Sequence, residues 1–310
     1  MIAAISEIVD RLFKENEDSE AQLLSERIGA EIGEELKAQA EIAITDGLSS
    51  DSKPERLYIT IDGVMVHEEE GWHETKVSAI YDVITQVGSK DHTEDIANQT
   101  TYVAQRSAPE ESGAHVSKEA QIRGEASAKE VIFIADGATW IWNLAETYFP
   151  QAIQIIDWYH VSEHIWKFAR ILYDDNEEQC KAWVDEQLRL LSDGRVKEIA
   201  NMLRAMTGLR DDAMLECANL ARYLESNQER MKYDEYRAKG YHVGSGVVES
   251  ACKNVVQVRH KRPGMRWSEE GARNILHLRT TLLNERWDEF WKRRKANFGG
   301  CNQDKASKAA

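Results

Sequence analysis

The segment Glu130–Ala135 (EVIFIA) constrains this chain more than any other. It is short, almost continuously apolar and rich in branched residues, and it stops at Asp136-Gly137. A run of that kind reads as a central strand buried on both faces, which requires further layers of structure on either side. Trp140, Ile141, Leu144 and Ala145 then recur at helical spacing until Pro150 ends the helix. A second buried strand, Ala152–Ile156, follows and stops at Asp157.

The flanking sequence supplies the rest of an α/β layout. Upstream, Leu57–Ile61 is a β-rich run leading into Asp62-Gly63 and Val64–Val66. After a charged turn at His67–Gly71, Thr75–Val87 and Thr100–Val103 predict further strands of an antiparallel meander. Lys118–Lys129 predicts a helix before the central strand. From Asp157 to about Tyr236 the chain is largely helical, with Trp166, Leu172, Trp183, Leu188, Leu190 and Leu203 as apolar faces. The glycines of Gly244–Gly246 (GSG) open a helix that carries Glu249, and Ile275–Leu283 and Arg286–Lys295 predict the last helices. Ile2, Ile5, Ile8, Val9, Leu12 and Phe13 predict helix in the N-terminal segment, followed by a polar linker at Asp46–Glu55.

This order is that of an RNase H-like α/β domain with an all-helical insertion before its last catalytic helix. The expected division is an N-terminal helical segment at 1–50, a catalytic domain at 51–172 and 240–296, the insertion at 173–239 and a disordered tail at 297–310.

Composition narrows the class. The 310 residues suffice for one large domain or two moderate ones. No apolar run approaches the ~20 residues that span a bilayer. The start, MIAAISEIVDRLF, lacks the basic and apolar blocks of a secretory leader, so the expected location is cytoplasmic, with no membrane partner. Cys180, Cys217, Cys252 and Cys301 are scattered without a CxxC pair, which speaks for free, mostly buried thiols. The net charge is −15, but from Arg237 onward basic residues outnumber acidic ones by about nine. A basic C-terminal third on an acidic body is either a phosphate-binding face or a set of solvated helix surfaces.

Three acids stand out by position. Asp62 lies late in the first strand run, Asp136 closes a buried strand, and Glu249 begins the helix after GSG. Groups at the ends of central strands are rigidly held and open into a crevice. Carboxylates are hard ligands suited to Mg²⁺ or Mn²⁺. Two such ions ~4 Å apart can activate an attacking oxygen and stabilise the leaving oxygen of a phosphodiester. Each Asp-Gly taken alone also reads as a simple turn.

The segments YITIDGVMV, IADGATWIWNLAETYFPQAIQIIDWYHVSEHIW and GSGVVESACKNVVQVRHKRPGMRW resemble those of bacterial insertion-sequence transposases of the ISKra type, within the DDE class. The resemblance runs from about Tyr58 to Trp291. It implies an RNase H-like fold, Mg²⁺ dependence with Mn²⁺ as a substitute, and cleavage and strand transfer at transposon-end DNA. It assigns the metal-binding catalytic acids to Asp62, Asp136 and Glu249. Joining two ends to target DNA implies a homo-oligomer, by analogy a dimer. The acidic, cysteine-free N-terminal segment differs from the helix-turn-helix or zinc regions such transposases usually carry. That leaves open a truncated or domesticated derivative that binds DNA or regulates a relative without its own transposition.

Two further clusters accompany the triad. Asp157, His160 and His164 suggest a supporting role, either organising the site or contacting DNA. His160 and His164 share a helix face at i, i+4, so a metal pair is conceivable, although the arrangement is not HExxH. Asp157 is also the rival to Asp136 as second metal ligand. Lys253, Arg259, His260, Lys261, Arg262 and Arg266 follow Glu249 and suit phosphates on either side of a cut. Trp267 either stacks on an unpaired base or packs in the core. A general RNase H-like nuclease without strand transfer and a zinc hydrolase are the remaining alternatives. Trp140, Trp142, Trp158, Trp166 and Trp183 read as core.

Overall fold

A computed structural model of the chain describes residues 53–87, 93–262 and 264–292. Three long strands come first: β1 (Arg56–Glu68), β2 (Gly71–Val87) and β3 (Thr93–Gln105). Helix α1 (Pro109–Ile122) and a 3-10 turn (Glu125–Ser127) lead to β4 (Glu130–Ala135), α2 (Thr139–Tyr148) and β5 (Ile153–Ile156). The helices α3 (Trp158–Leu172), α4 (Glu177–Ser192), α5 (Val196–Ala205), α6 (Asp211–Asn227) and α7 (Tyr233–Ala238) follow. Helix α8 (Gly246–Ala251) then runs into a π-helical segment (Cys252–Gln257) and a short turn of helix (Val258–His260). Helix α9 (Glu269–Leu283) comes next, and residues 287–292 are again helical. The strands form one mixed sheet in the order β3-β2-β1-β4-β5, so the fold is α/β as expected. Among the described residues no helix is long and apolar enough to cross a membrane.

The chain packs as two compact units. Of the described residues, one contains 53–57, 62–129 and 248–292; the other contains Tyr58–Ile61 and Glu130–Val247. In the second unit β4 and β5 pair in parallel, from Ile132↔Ile153 to Ala135↔Ile156. A parallel pair needs a crossover, and α2 provides it. Phe133 of β4 meets Trp142 of α2 edge-on and Phe149 beside it, which closes the crossover over the strand. The helical stretch from Trp158 to Ala238 belongs to this same unit. Its helices bury apolar stripes that include Ile165, Phe168, Val184, Leu203, Leu220 and Leu224.

In the first unit β2 and β3 form a long antiparallel hairpin. Its register shifts between Ile80 and Asp82, and Gln99 opposite takes a left-handed φ of 47°, the mark of a bulge. The Asn98 amide donates to Asp82 across the ladder there. Helix α1 is tied in by Arg123, which donates to Asp82, and by buried Glu119, which accepts both arms of the Arg286 guanidinium. At the end of α9, the Asn284 side chain accepts the Tyr102 N–H at 2.8 Å and donates to the Tyr102 carbonyl at 3.0 Å. It thereby acts as a one-residue substitute for a neighbouring strand.

Several expectations shift. The helix expected at Lys118–Lys129 instead spans Pro109–Ile122. Pro109 has no N–H to lose in the first turn, Glu110 and Glu111 favour a helix start, and Gly124 in left-handed conformation (φ 86°) prevents continuation to Lys129. The third strand extends well beyond Thr100–Val103. Strand β1 does not end at Asp62-Gly63; burial resumes at Val64 and Val66, and the turn falls at Glu69–Glu70, within the charged stretch His67–Gly71 expected for it. The expected helices in 1–50, most of the linker at Asp46–Glu55 and the tail at 297–310 lie outside the described residues, as does the end of the helix expected at Arg286–Lys295.

Replacing Asn284 with alanine strands two backbone groups of Tyr102 and is expected to destabilise the protein by about 1–3 kcal/mol. Urea unfolding measures this directly. An unchanged midpoint would mean that the amide contributes nothing to the hairpin.

Candidate active site

Each unit carries its own cluster. In the first, Asp62 occupies the middle of β1 with its carboxylate half-buried. Its Oδ1 accepts the Gly63 N–H at 2.6 Å, and its Oδ2 accepts the Cys252 thiol at an Sγ distance of 3.6 Å. Cys252 lies one helical turn after Glu249, on the helix opened by GSG. Burial pushes its thiol well above the usual range, and the charges of Asp62 and then Glu249 push the same way. The buried Cys252 thiol thus joins the late helix to Asp62 on β1. Glu249 itself is exposed.

Beyond Glu249 the helix widens into π geometry at Cys252–Gln257, a distortion common at functional sites. The basic residues expected to grip phosphate divide into two groups here. Lys253, Lys261 and Arg266 are exposed and Arg262 is half-buried. Arg259 and His260 point inward, 2% and 1% exposed. Burial, then Arg279 and Arg262, lower the Arg259 guanidinium to about 10. The His260 ring lies against Trp267 and faces the carbonyls of Val256 and Ala272. Trp267 is fully buried, and its carbonyl accepts the Glu69 N–H. The base-stacking role considered for Trp267, and the phosphate roles considered for Arg259 and His260, are therefore corrected to packing within this unit.

In the second unit Asp136 follows β4. Its Oδ1 accepts the Ala138 N–H at 2.8 Å, an Asx turn into α2, while Oδ2 makes no hydrogen bond with the described residues. Gly137 is needed for space and not for an unusual φ: a Cβ there would lie 2.2 Å from the Tyr223 ring. Tyr223 comes from α6, and its hydroxyl is buried without a hydrogen-bond partner among the described residues. Burial raises its phenol, and the charges of Asp136 and Asp157 add to the rise. The His164 ring packs on Tyr223 at 4.4 Å, and His160 meets His164 edge-on at 4.9 Å. Burial, then His160 and Lys167, lower the His164 imidazole.

Asp157 is 1% exposed and fully used. Its Oδ1 accepts the His160 N–H at 2.7 Å, capping α3, and its Oδ2 accepts the Ser245 N–H. With both oxygens committed to backbone, Asp157 organises the unit, and its candidacy as a metal ligand in place of Asp136 loses support. Sequence reasoning overlooked Tyr223 and set Cys252 aside as a buried thiol. The available signal was the spacing of Cys252 from Glu249; Gly137 reads as part of the turn after Asp136 and points to no partner. Cys180, Cys217 and Cys252 are free and buried, as expected. Among the described residues no group of three or more His, Cys, Asp or Glu side chains is set to hold a metal ion. Asp62 and Glu249 nevertheless offer the hard oxygen donors that Mg²⁺ prefers.

The molecule is thus an α/β protein whose motif acids stand on or beside its strands and at the start of a late helix. It belongs to the uncharacterised protein family UPF0236, whose model matches residues 15–289. A search of curated proteins finds no match.

Two outcomes follow from this geometry. Gly137→Ala is expected to destabilise the protein by about 1–3 kcal/mol, and adding Tyr223→Ala should remove most of that increment. Strictly additive losses in denaturant would show that the two do not touch. For His260, burial lowers the imidazole from 6.5 to about 4. Between those values the unfolded chain takes up a proton and the folded one does not. The contribution is therefore full above about pH 6.5 and is lost as pH falls toward 4, by about 3 kcal/mol. His260→Gln should flatten that part of a stability-versus-pH curve; an unaltered slope would assign the loss to other groups.

Proposed function

We propose that this chain is the catalytic region of a DDE-class transposase of the ISKra insertion-sequence type, with an RNase H-like fold, cutting and joining transposon-end DNA. The observation that carries this reading is the hydrogen bond from Cys252 to Asp62, which ties the helix that bears Glu249 to the strand that bears Asp62. Two segments selected from distant parts of the sequence, YITIDGVMV and the GSG-opened helix, are thereby joined through a motif acid. Family membership supports the same reading, since UPF0236 is typically associated with transposase-like proteins.

In this reading Asp62, Asp136 and Glu249 hold Mg²⁺, with Mn²⁺ as a substitute. When bound, the ions supply Lewis acidity and an activated oxygen for displacement at phosphorus. The chain's own groups do the rest. The Cys252 thiol donates to Asp62 Oδ2 and fixes the rotation of that carboxylate. The Asx turn at Asp136 leaves Oδ2 open to a ligand. Lys253, Lys261, Arg262 and Arg266 hold the DNA backbone on either side of the cut through charge. The substrate is DNA, both transposon end and target, and the working form is a homo-oligomer able to hold two ends.

The test is nicking and joining of labelled duplex DNA by the purified chain in Mg²⁺ or Mn²⁺. Asp62→Asn, Asp136→Asn and Glu249→Gln are each expected to lower the rate by about a hundredfold or more while leaving the fold intact. DNA binding without cutting would favour a regulatory derivative, and nicks without joined product a plain nuclease. Full activity in all three variants would place the site elsewhere.

A further inference from the structure

Tyr223 lies in the helical stretch, remote in sequence from every motif acid, yet its ring lies against Gly137, the residue after Asp136. Its ring fills the volume that a Cβ on Gly137 would need. Cζ, the carbon bearing the hydroxyl, is 3.1 Å from that point. His164 packs against the same ring, so the phenol is held in place. The hydroxyl is buried and has no hydrogen-bond partner among the described residues. Next to Gly137, half-buried Asp136 has an Oδ2 that makes no hydrogen bond with the described residues. Buried polar groups are nearly always satisfied, and an orphan destabilises the fold that keeps it. Local rules broken in this way cluster at functional sites.

We propose that the Tyr223 hydroxyl is a donor reserved for a phosphodiester oxygen of DNA bound at Asp136, while its ring holds the Gly137 backbone in place. The helical stretch thereby contributes a residue to the chemistry. The inference rests on the transposase reading above. It deepens that reading by naming a donor outside the acidic triad.

Tyr223→Phe isolates the hydroxyl, because the ring and its packing on Gly137 and His164 remain. Removing an orphan donor should leave the melting temperature unchanged or raise it by about 2 °C. The same change should lower kcat for Mn²⁺-dependent nicking about tenfold or more, with KM for the DNA within about twofold of wild type. A purely structural hydroxyl would give the opposite pattern: a lower melting temperature, with kcat unchanged or falling only in step with it. That result would overturn the proposal. Asp136→Asn run alongside separates the two levels of the argument. If wild type nicks, Asp136→Asn does not, and Tyr223→Phe matches wild type, the inference about Tyr223 fails alone. If wild type does not nick at all, the transposase reading fails and this inference falls with it.

Discussion

Asp157 sits at the end of a buried strand with both carboxylate oxygens occupied by backbone N–H groups, those of His160 and Ser245. Such charge-assisted bonds are about twice as strong as neutral ones, and a negative charge at a helix start is further favoured by the peptide dipoles. Because the group is almost fully buried, losing either donor would leave a poorly satisfied charge inside the protein. The end of β5, the first turn of α3 and the 243–245 loop are thus tied to one side chain, and the Trp158 N–H, donating to the Val243 carbonyl, doubles the tie. The orientation of α3 follows, and with it the facing of His164 toward Tyr223.

The parts of this arrangement legible in the sequence are those set by local burial. EVIFIA and IQII could be read as strands because a segment buried on both faces has no polar face to confuse the pattern. Asp136 and Asp157 could be placed because each directly follows such a run. Asp62-Gly63 was harder: the dipeptide favours turns in short peptides, but here Gly63 is extended and the strand continues through it. The start of α1 was carried by Pro109-Glu-Glu, a signal weaker than the charged and apolar periodicity further along. Tyr223 was illegible because its significance lies in Gly137, a long way off in sequence.

The basic run after Glu249 shows a second limit. Residues that read as one charged series divide between the interior and solvent because π geometry rotates the side chains relative to an α-helical count. Arg259 and His260 go inward and Lys253 and Lys261 outward, which a list of charges does not reveal. The same widening follows the point where Cys252 meets Asp62, so the distortion lies beside the two acids that the functional reading depends on.

The clasp of Asn284 on Tyr102 has a consequence for the protein in a crowded cell. Strand β3 is an outer strand of the sheet, and an outer strand offers its backbone to any other extended chain. By occupying both polar groups of one residue toward the end of the strand, the amide of Asn284 interrupts that invitation just beyond the bulge. The bulge at Gln99 twists the stretch just before it. Together they guard against edge-to-edge aggregation, a hazard for any exposed sheet edge.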